Sequence, residues 1–147
     1  TVGDKNKLKY AEDLGANYIL NHYNNDNFVK EINDITDNKG CDVIFEHVGS
    51  NTWSNTMKSL AIGGRVITCG ATTGPKINID LRHLFMKQQT IMGSTMSDIK
   101  SFKKVMININ NKIYKPFVDK VFTFKEIKEA HTYMENRQQM GKIVLVP

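Results

Sequence analysis

The chain has 147 residues, a formal charge of +5 from 20 Lys and Arg against 15 Asp and Glu, and a hydrophobic share of 40%. This length suits one ordinary globular domain, and plentiful, evenly spread apolar residues argue against disorder. No stretch approaches the roughly 18 apolar residues that a membrane span needs. The sequence has only two cysteines and no apolar signal segment near its start, so we expect a reducing, cytoplasmic location.

Helical and strand patterns alternate along most of the chain, which favours an α/β fold built on a parallel sheet. Asp4 and Ser50 are predicted N-caps, and Gly15 and the pair Gly63-Gly64 are predicted helix ends. The run Val43-Ile44-Phe45 is continuously apolar, which is typical of strands whose two faces are both covered. In chain order, the predicted elements are helix Asp4–Leu14, strand Tyr18–Leu20, a helix from Asp26 to Asn38, strand Asp42–Glu46, a helix from Ser50, strand Arg65–Cys69, helix Asp80–Lys87 and strand Thr90–Ser94.

The last third of the chain carries a second set of elements. Thr123 and Glu126 have the spacing of a capping box, which predicts the start of a helix that Gly141 would close. The predicted elements are a long helix that Ser97 opens, strand Val118–Phe124, the capped helix and strand Ile143–Val146.

Candidate ligand-binding residues follow the strands directly, because ligands bind open parallel sheets at the carboxyl ends of the strands. Three of these segments contain glycine, which lets the backbone approach a ligand and donate N–H groups. A glycine that only turns the chain is the commoner explanation for any one of them, but their recurrence favours binding. The segments are Gly3–Lys7, His47–Gly49, Gly70–Gly74 and Ser94–Met96.

Four motifs carry a family resemblance: Leu14–Asn17 (LGAN), Gly40–Gly49 (GCDVIFEHVG), Gly63–Gly74 (GGRVITCGATTG) and Gly141–Leu145 (GKIVL). Together they resemble the medium-chain dehydrogenase/reductase superfamily of zinc-type alcohol dehydrogenases and quinone oxidoreductases. The resemblance implies a Rossmann-like parallel sheet with covering helices. No G-x-G-x-x-G motif occurs, so the first βα unit of that fold is missing. We therefore expect the chain to be the C-terminal portion of a larger enzyme.

The resemblance also implies two regions. Residues 1–112 would form a partial dinucleotide-binding domain, and residues 113–147 would return to the catalytic domain. That domain would supply the catalytic side chains and any zinc ligands of the parent enzyme, so no catalytic or metal-binding residue is expected here. The two cysteines and four histidines also lack close ligand spacing. The parent would transfer hydride between a nicotinamide and an alcohol, carbonyl, quinone or enone, and this chain alone would be inactive.

In the family that the chain resembles, the residues at the strand ends bind a nicotinamide dinucleotide. Gly3, Asp4 and Lys7 would surround the adenosine ribose. The absence of an acid at Gly3 and the charge of Lys7 favour NADP(H) over NAD(H), whereas Asp4 would favour NAD(H) if it faced the ribose instead of capping its helix. The other implied contacts are His22 near the adenine or phosphate, His47, Val48 and Gly49 between adenosine and nicotinamide, Cys69, Gly70, Ala71, Thr72, Ser94 and Thr95 at the nicotinamide amide, and Lys142 at the pyrophosphate.

The pair Glu46-His47 suggests acid–base chemistry, but adjacent strand residues point to opposite faces, so we do not assign catalysis to it. Nucleic-acid binding suits the charge and the pI near 9.2, although acids interleaved with the lysines favour a solvated surface. A non-catalytic interaction chain is a further alternative. In the family, the edge strand Thr90–Ser94 forms a homodimer, so we expect that partner beside a small-molecule substrate, and no nucleic acid or membrane.

Overall fold

The computed structural model describes residues 1–23 and 25–147. These residues form two compact units, Thr1–Met96 and Ser97–Pro147. The first unit contains a three-stranded parallel sheet and the second a two-stranded parallel sheet, which confirms the predicted α/β class. The predicted domain boundary between residues 112 and 113 stays a prediction.

Aspartates cap two helical elements of the first unit, the 3-10 turn after Asp4 and the short helix after Asp80. Asp4 accepts a hydrogen bond from the N–H of Asn6 at 2.8 Å, and Asp80 accepts one from Arg82 at 3.0 Å. Each carboxylate satisfies a donor that the helix leaves open. The elements are a 3-10 turn Lys5–Lys7, α1 Leu8–Asp13, α2 Phe28–Ile35, β1 Cys41–Glu46, α3 Trp53–Ser59, β2 Leu60–Thr68, α4 Leu81–Met86 and β3 Thr90–Gly93.

The sheet of the first unit has the order β1-β2-β3. Ile44, Val66 and Ile91 pair across it, so their side chains share one face. This face packs on Trp53 and Met57 of α3, which form the buried core of the unit together with Val66 and Leu60. The core therefore lies on the face of the sheet that Ile44, Val66 and Ile91 share.

The opposite face of the sheet is uncovered, contrary to the prediction from the Val43–Phe45 run. Val43 is 51% exposed, Phe45 64% and Met92 47%. Alternate strand residues point to opposite faces, and α3 covers only the face of Ile44. Among the described residues, β1 and β3 also each have one unpaired edge.

Three local predictions in the first unit are wrong. Tyr18–Leu20 forms no strand, and among the described residues the pairing there is the isolated bridge between Val2 and Asn21. Ser50 does not cap α3, because its hydroxyl donates to the Thr73 carbonyl at 2.8 Å. Gly63-Gly64 lie inside β2, which already begins at Leu60, where the carbonyl accepts a hydrogen bond from the Gln89 side chain at 3.0 Å.

The second unit contains a parallel βαβ arrangement. The capping box is confirmed, because the Thr123 N–H donates to Glu126 Oε2 at 2.8 Å. Asp98, not the predicted Ser97, caps the long helix by accepting from the N–H of Ser101 at 2.6 Å. The capped helix ends at Glu135, well before the predicted Gly141. The elements are α5 Ile99–Asn110, β4 Val118–Thr123, a 3-10 turn Phe124–Glu126, α6 Ile127–Glu135 and β5 Lys142–Val146. Within the described residues, no helix combines the length and apolarity needed to cross a membrane.

Candidate functional site

The loops that follow β1 and β2 are joined by hydrogen bonds at the carboxyl end of the sheet. The carbonyls of His47 and Val48 accept from the N–H groups of Thr72 and Thr73, at 3.4 and 2.7 Å. The Thr73 hydroxyl also donates to the Val48 carbonyl at 2.8 Å. The N–H of Ser94, which follows β3, donates to the Thr68 carbonyl at 2.9 Å. The three predicted strand-end segments of this sheet therefore lie side by side.

Two glycines allow the β1 and β2 loops to approach this closely. Gly49 has a φ of +98°, and a Cβ there would lie 2.5 Å from the Gly74 carbonyl oxygen. Gly70 is in contact with His47, whose carbonyl oxygen would lie 3.0 Å from a Cβ at position 70. A side chain at either position would separate the two loops.

Most N–H groups of these loops are already used within the protein. Val48 and Gly49 donate to the Glu46 side chain, and Ser50 donates to the Gly74 carbonyl. Among the described residues, the N–H groups of Gly70 and Ala71 in the loop from Cys69 to Gly74 have no hydrogen-bond acceptor. Their donors can therefore bind acceptor atoms of a ligand, such as an amide carbonyl or a phosphate oxygen.

Glu46 organises the turn after β1. Its side chain is buried, with a residue exposure of 5%, and Oε1 accepts from the N–H groups of Val48 and Gly49 at 2.6 and 3.2 Å. Oε2 accepts from the hydroxyls of Thr52 and Thr56 at 2.9 and 2.8 Å. Burial alone would raise the pKa of Glu46, but these hydrogen bonds outweigh it and lower that pKa. The group is therefore a carboxylate near neutral pH.

His47 points away from this carboxylate. It is exposed whereas Glu46 is buried, which agrees with the alternation along β1 that argued against an acid–base pair. Val48 is half-buried and Gly49 buried, and in the neighbouring loop Cys69, Ala71 and Thr72 are exposed while Gly70 is half-buried. The exposed residues of the second loop, Cys69, Ala71 and Thr72, thus carry short side chains.

Gly3, Asp4, Lys7 and His22 form a second group near the bridge between Val2 and Asn21. The His22 N–H donates to the Val2 carbonyl at 3.0 Å, and His22 Nε2 would lie 3.3 Å from a Cβ at Gly3. Burial lowers the pKa of His22, although the charge of Glu46 opposes this shift. His22 is therefore mainly neutral at physiological pH, and the positive charges of this segment come from its lysines.

Thr95 and Lys142 complete the predicted set. Thr95 is exposed and follows Ser94 beyond the end of β3. Lys142 belongs to the second unit, where its N–H donates to the Phe117 carbonyl at 2.8 Å and its side chain is exposed at the start of β5. Its predicted contact with a pyrophosphate stays a prediction.

The described residues contain no group of three or more His, Cys, Asp or Glu side chains that could hold a metal ion. Cys41 is half-buried and Cys69 exposed, and both are free thiols. Burial raises the pKa of Cys41, so this thiol is protonated at neutral pH.

Residues 1–111 match the sequence profile of the zinc-binding dehydrogenases. The chain belongs to this family. It is 26% identical to a zinc-type alcohol dehydrogenase-like protein from Schizosaccharomyces pombe, over 99% of this chain and 43% of that protein. It is 28% identical to a quinone oxidoreductase from Rattus norvegicus, over 99% of this chain and 46% of that protein.

Solved dehydrogenase structures share the fold of this chain. A crystal structure of an NAD-dependent alcohol dehydrogenase superposes with a TM-score of 0.89 at 30% identity, over 99% of this chain and 42% of that one. The chain thus spans less than half the length of the relatives that it matches. The family resemblance inferred from the four motifs is confirmed, as is a Rossmann-type fold that is only partly present.

The role of Glu46 in the site was not predictable from the sequence. Threonines at positions 52 and 56 lie one helical turn apart and follow an acid at the end of a strand, but this signal is weak without the geometry. Thr73 lies in the predicted Gly70–Gly74 segment but was given no role, although its hydroxyl and N–H join the two loops. Both residues act through the backbone of neighbouring loops, which sequence spacing does not reveal.

Proposed function

We propose that the chain is the cofactor-binding portion of an NAD(P)-dependent oxidoreductase. The observation that carries this proposal is the junction of the β1 and β2 loops. It leaves the N–H groups of Gly70 and Ala71 available at the carboxyl end of the sheet. A bound nicotinamide would supply the hydride, and the residues of this chain would bind and orient it. The residues proposed to hold it are Gly3, Asp4, Lys7, His22, His47, Val48, Gly49, Cys69, Gly70, Ala71, Thr72, Ser94, Thr95 and Lys142.

The proposed reaction transfers hydride between the nicotinamide and a small alcohol or carbonyl, or a quinone or enone. Both substrate classes are kept, because the similar proteins include an alcohol dehydrogenase-like protein and a quinone oxidoreductase. Groups that polarise the substrate, and zinc where the parent uses it, would come from polypeptide outside this chain. We expect the 147 residues alone to turn over neither substrate class in a spectrophotometric NADPH or NADH assay. Measurable turnover would contradict this division of roles.

We propose that NADP(H) is preferred over NAD(H). Asp4 supports this preference because its carboxylate is used to cap its own turn by accepting from Asn6. Gly3 carries no acid that would hold the ribose hydroxyls or repel a 2′-phosphate, and Lys7 would pair with that phosphate. One protein of similar fold is an NAD-dependent alcohol dehydrogenase, so a preference for NAD(H) is the alternative to be tested.

Lys7→Ala tests this preference. In titrations of the protein with NADPH and NADH, we expect Lys7→Ala to weaken NADPH binding about tenfold, because Lys7 is half-buried and a lost charge-assisted contact of about 1.4 kcal/mol corresponds to that factor. NADH binding should be nearly unchanged. Lys9→Ala is the matched control, because the Lys9 ammonium is 2.9 Å from the Asp13 carboxylate. Equal losses of NADPH and NADH affinity in Lys7→Ala would refute the 2′-phosphate contact.

A non-catalytic interaction chain is the second candidate. It is favoured by the unpaired edges of β1 and β3 and by the exposed side chains of Phe45 and Met92. Unpaired strand edges and apolar sheet faces favour association with another polypeptide. We propose a homodimer through Thr90–Ser94, which sedimentation at increasing protein concentration tests. A monomer at every concentration would exclude that dimer.

We also propose a cytoplasmic location and no nucleic-acid or membrane partner. The net charge of +5 is the feature that would favour nucleic acid. We expect no DNA retention at physiological ionic strength, because the lysines alternate with acids along the helices. Retention that weakens steeply with added salt would contradict this expectation.

A further inference from the structure

The two oxygens of Glu46 contact different parts of the first unit. Among the described residues, Oε1 accepts from the backbone N–H groups of Val48 and Gly49, and Oε2 accepts from the hydroxyls of Thr52 and Thr56. One oxygen therefore fixes the turn after β1, and the other fixes the carboxylate to the start of α3. A carboxylate is the side chain best suited to this arrangement, since all four partners donate.

The turn held by Oε1 also orients the next loop. The N–H groups of Val48 and Gly49 point to Glu46, and the carbonyls of His47 and Val48 accept from Thr72 and Thr73. A shift of this turn would therefore displace the loop that carries the unused N–H groups of Gly70 and Ala71. The His47–Gly49 turn is thus the one segment between Glu46 and the loop that carries these donors.

We propose that Glu46 is a positioning residue for dinucleotide binding. Its Oε1 holds the His47–Gly49 turn in the orientation that keeps the Gly70 and Ala71 donors available to acceptor atoms of the dinucleotide. This inference rests on the proposed function, because it assumes that a dinucleotide binds at these loops. It gives Glu46 no role in moving a proton, and Glu46 itself need not touch the ligand.

Three variants separate positioning from general stability. Glu46→Leu removes both acceptors and so releases the turn. Glu46→Gln keeps a carbonyl oxygen for the N–H groups of Val48 and Gly49, and its amide can donate to hydroxyls that also accept. Thr36→Val is the stability control, because its hydroxyl accepts from the Gly40 N–H at 3.0 Å at the far end of β1.

The test measures NADPH affinity of the 147-residue protein and its variants by isothermal titration, together with the amide signals of Gly70 and Ala71 in ¹H–¹⁵N spectra. We expect Glu46→Leu to weaken NADPH binding at least tenfold and to shift both signals in the unliganded protein. Glu46→Gln should restore affinity to within about threefold of the original. Thr36→Val should lower the unfolding midpoint while affinity and both signals stay unchanged.

The outcomes separate the inference from the proposed function. Wild-type protein that binds NADPH, with Glu46→Leu binding equally well, would overturn the positioning role alone. Loss of affinity in Thr36→Val that matches the loss in Glu46→Leu would also overturn it, because stability would then explain both. Wild-type protein without measurable NADPH affinity would overturn the proposed function, and with it the inference.

Discussion

The turn after β1 requires glycine at position 49, so Gly49→Ala measures how tightly the β1 and β2 loops approach. Gly49 has a φ of +98°, and its Cβ would lie 2.5 Å from the Gly74 carbonyl oxygen. A positive φ costs an L side chain about 1–2 kcal/mol. An overpacked contact costs about 1–3 kcal/mol more. We expect Gly49→Ala to lower the free energy of unfolding of the first unit by about 2–5 kcal/mol.

Two other glycines of the same unit separate these contributions. Gly15 has a φ of +89° but nothing within 4 Å of its Cβ position. Gly15→Ala should therefore cost only the backbone contribution of about 1–2 kcal/mol. Gly93 lies in β3 without a positive φ and with nothing within 4 Å. Gly93→Ala should change the free energy of unfolding by less than about 1 kcal/mol and can be stabilising.

The single tryptophan of the chain provides the assay. Trp53 is 5% exposed in the core of the first unit, so its fluorescence reports the unfolding of that unit in urea. Free energies of unfolding extrapolated to water should decrease in the order Gly93→Ala, Gly15→Ala, Gly49→Ala. Equal values for the Gly15 and Gly49 variants would refute the close contact between the two loops.

Three further outcomes rest on single contacts. Acid should destabilise the first unit, because hydrogen bonds to the ionised carboxylate lower the pKa of Glu46. The stabilisation that these bonds give is complete above the ordinary glutamate pKa of about 4.3. It is lost as the pH falls through the lower pKa of the folded protein. In urea titrations across that range, Glu46→Gln should lose less stability, and equal losses would contradict the assignment. Gln89→Leu should cost about 1–3 kcal/mol by the same assay, because its amide N–H binds the Leu60 and Ala61 carbonyls, and an unchanged value would show that water replaces it. Thr123→Ala should cost about 1 kcal/mol and speed amide exchange in α6, whereas unchanged exchange would mean that Glu126 alone caps the turn.

Local patterns predicted most elements because their causes are local. The cap at Asp4 and the capping box at Thr123 each depend on residues within one turn. The failures occurred where a distant group decides the structure. Gln89 binds the Leu60 carbonyl, where β2 begins before the two glycines that would otherwise end a helix.

The candidate site shows the same limit. Glycines after the strands predicted the loops that meet, and the structure places them side by side. Which N–H groups remain available was not predictable, because Glu46 and Gly74 take up donors that the sequence makes equivalent to those of Gly70 and Ala71. Hydrogen-bond partners far apart in sequence are set by packing, not by spacing.

The sequence by itself determined the α/β class, the family and the segments that follow the strands, because periodicity, caps and motifs are properties of neighbouring residues. Only the tertiary structure decided that one face of the sheet near Phe45 is exposed and that the Glu46 carboxylate controls the turn beside it. Both depend on which distant groups come into contact, since a face stays exposed when no element packs on it and a buried carboxylate stays charged when enough donors surround it.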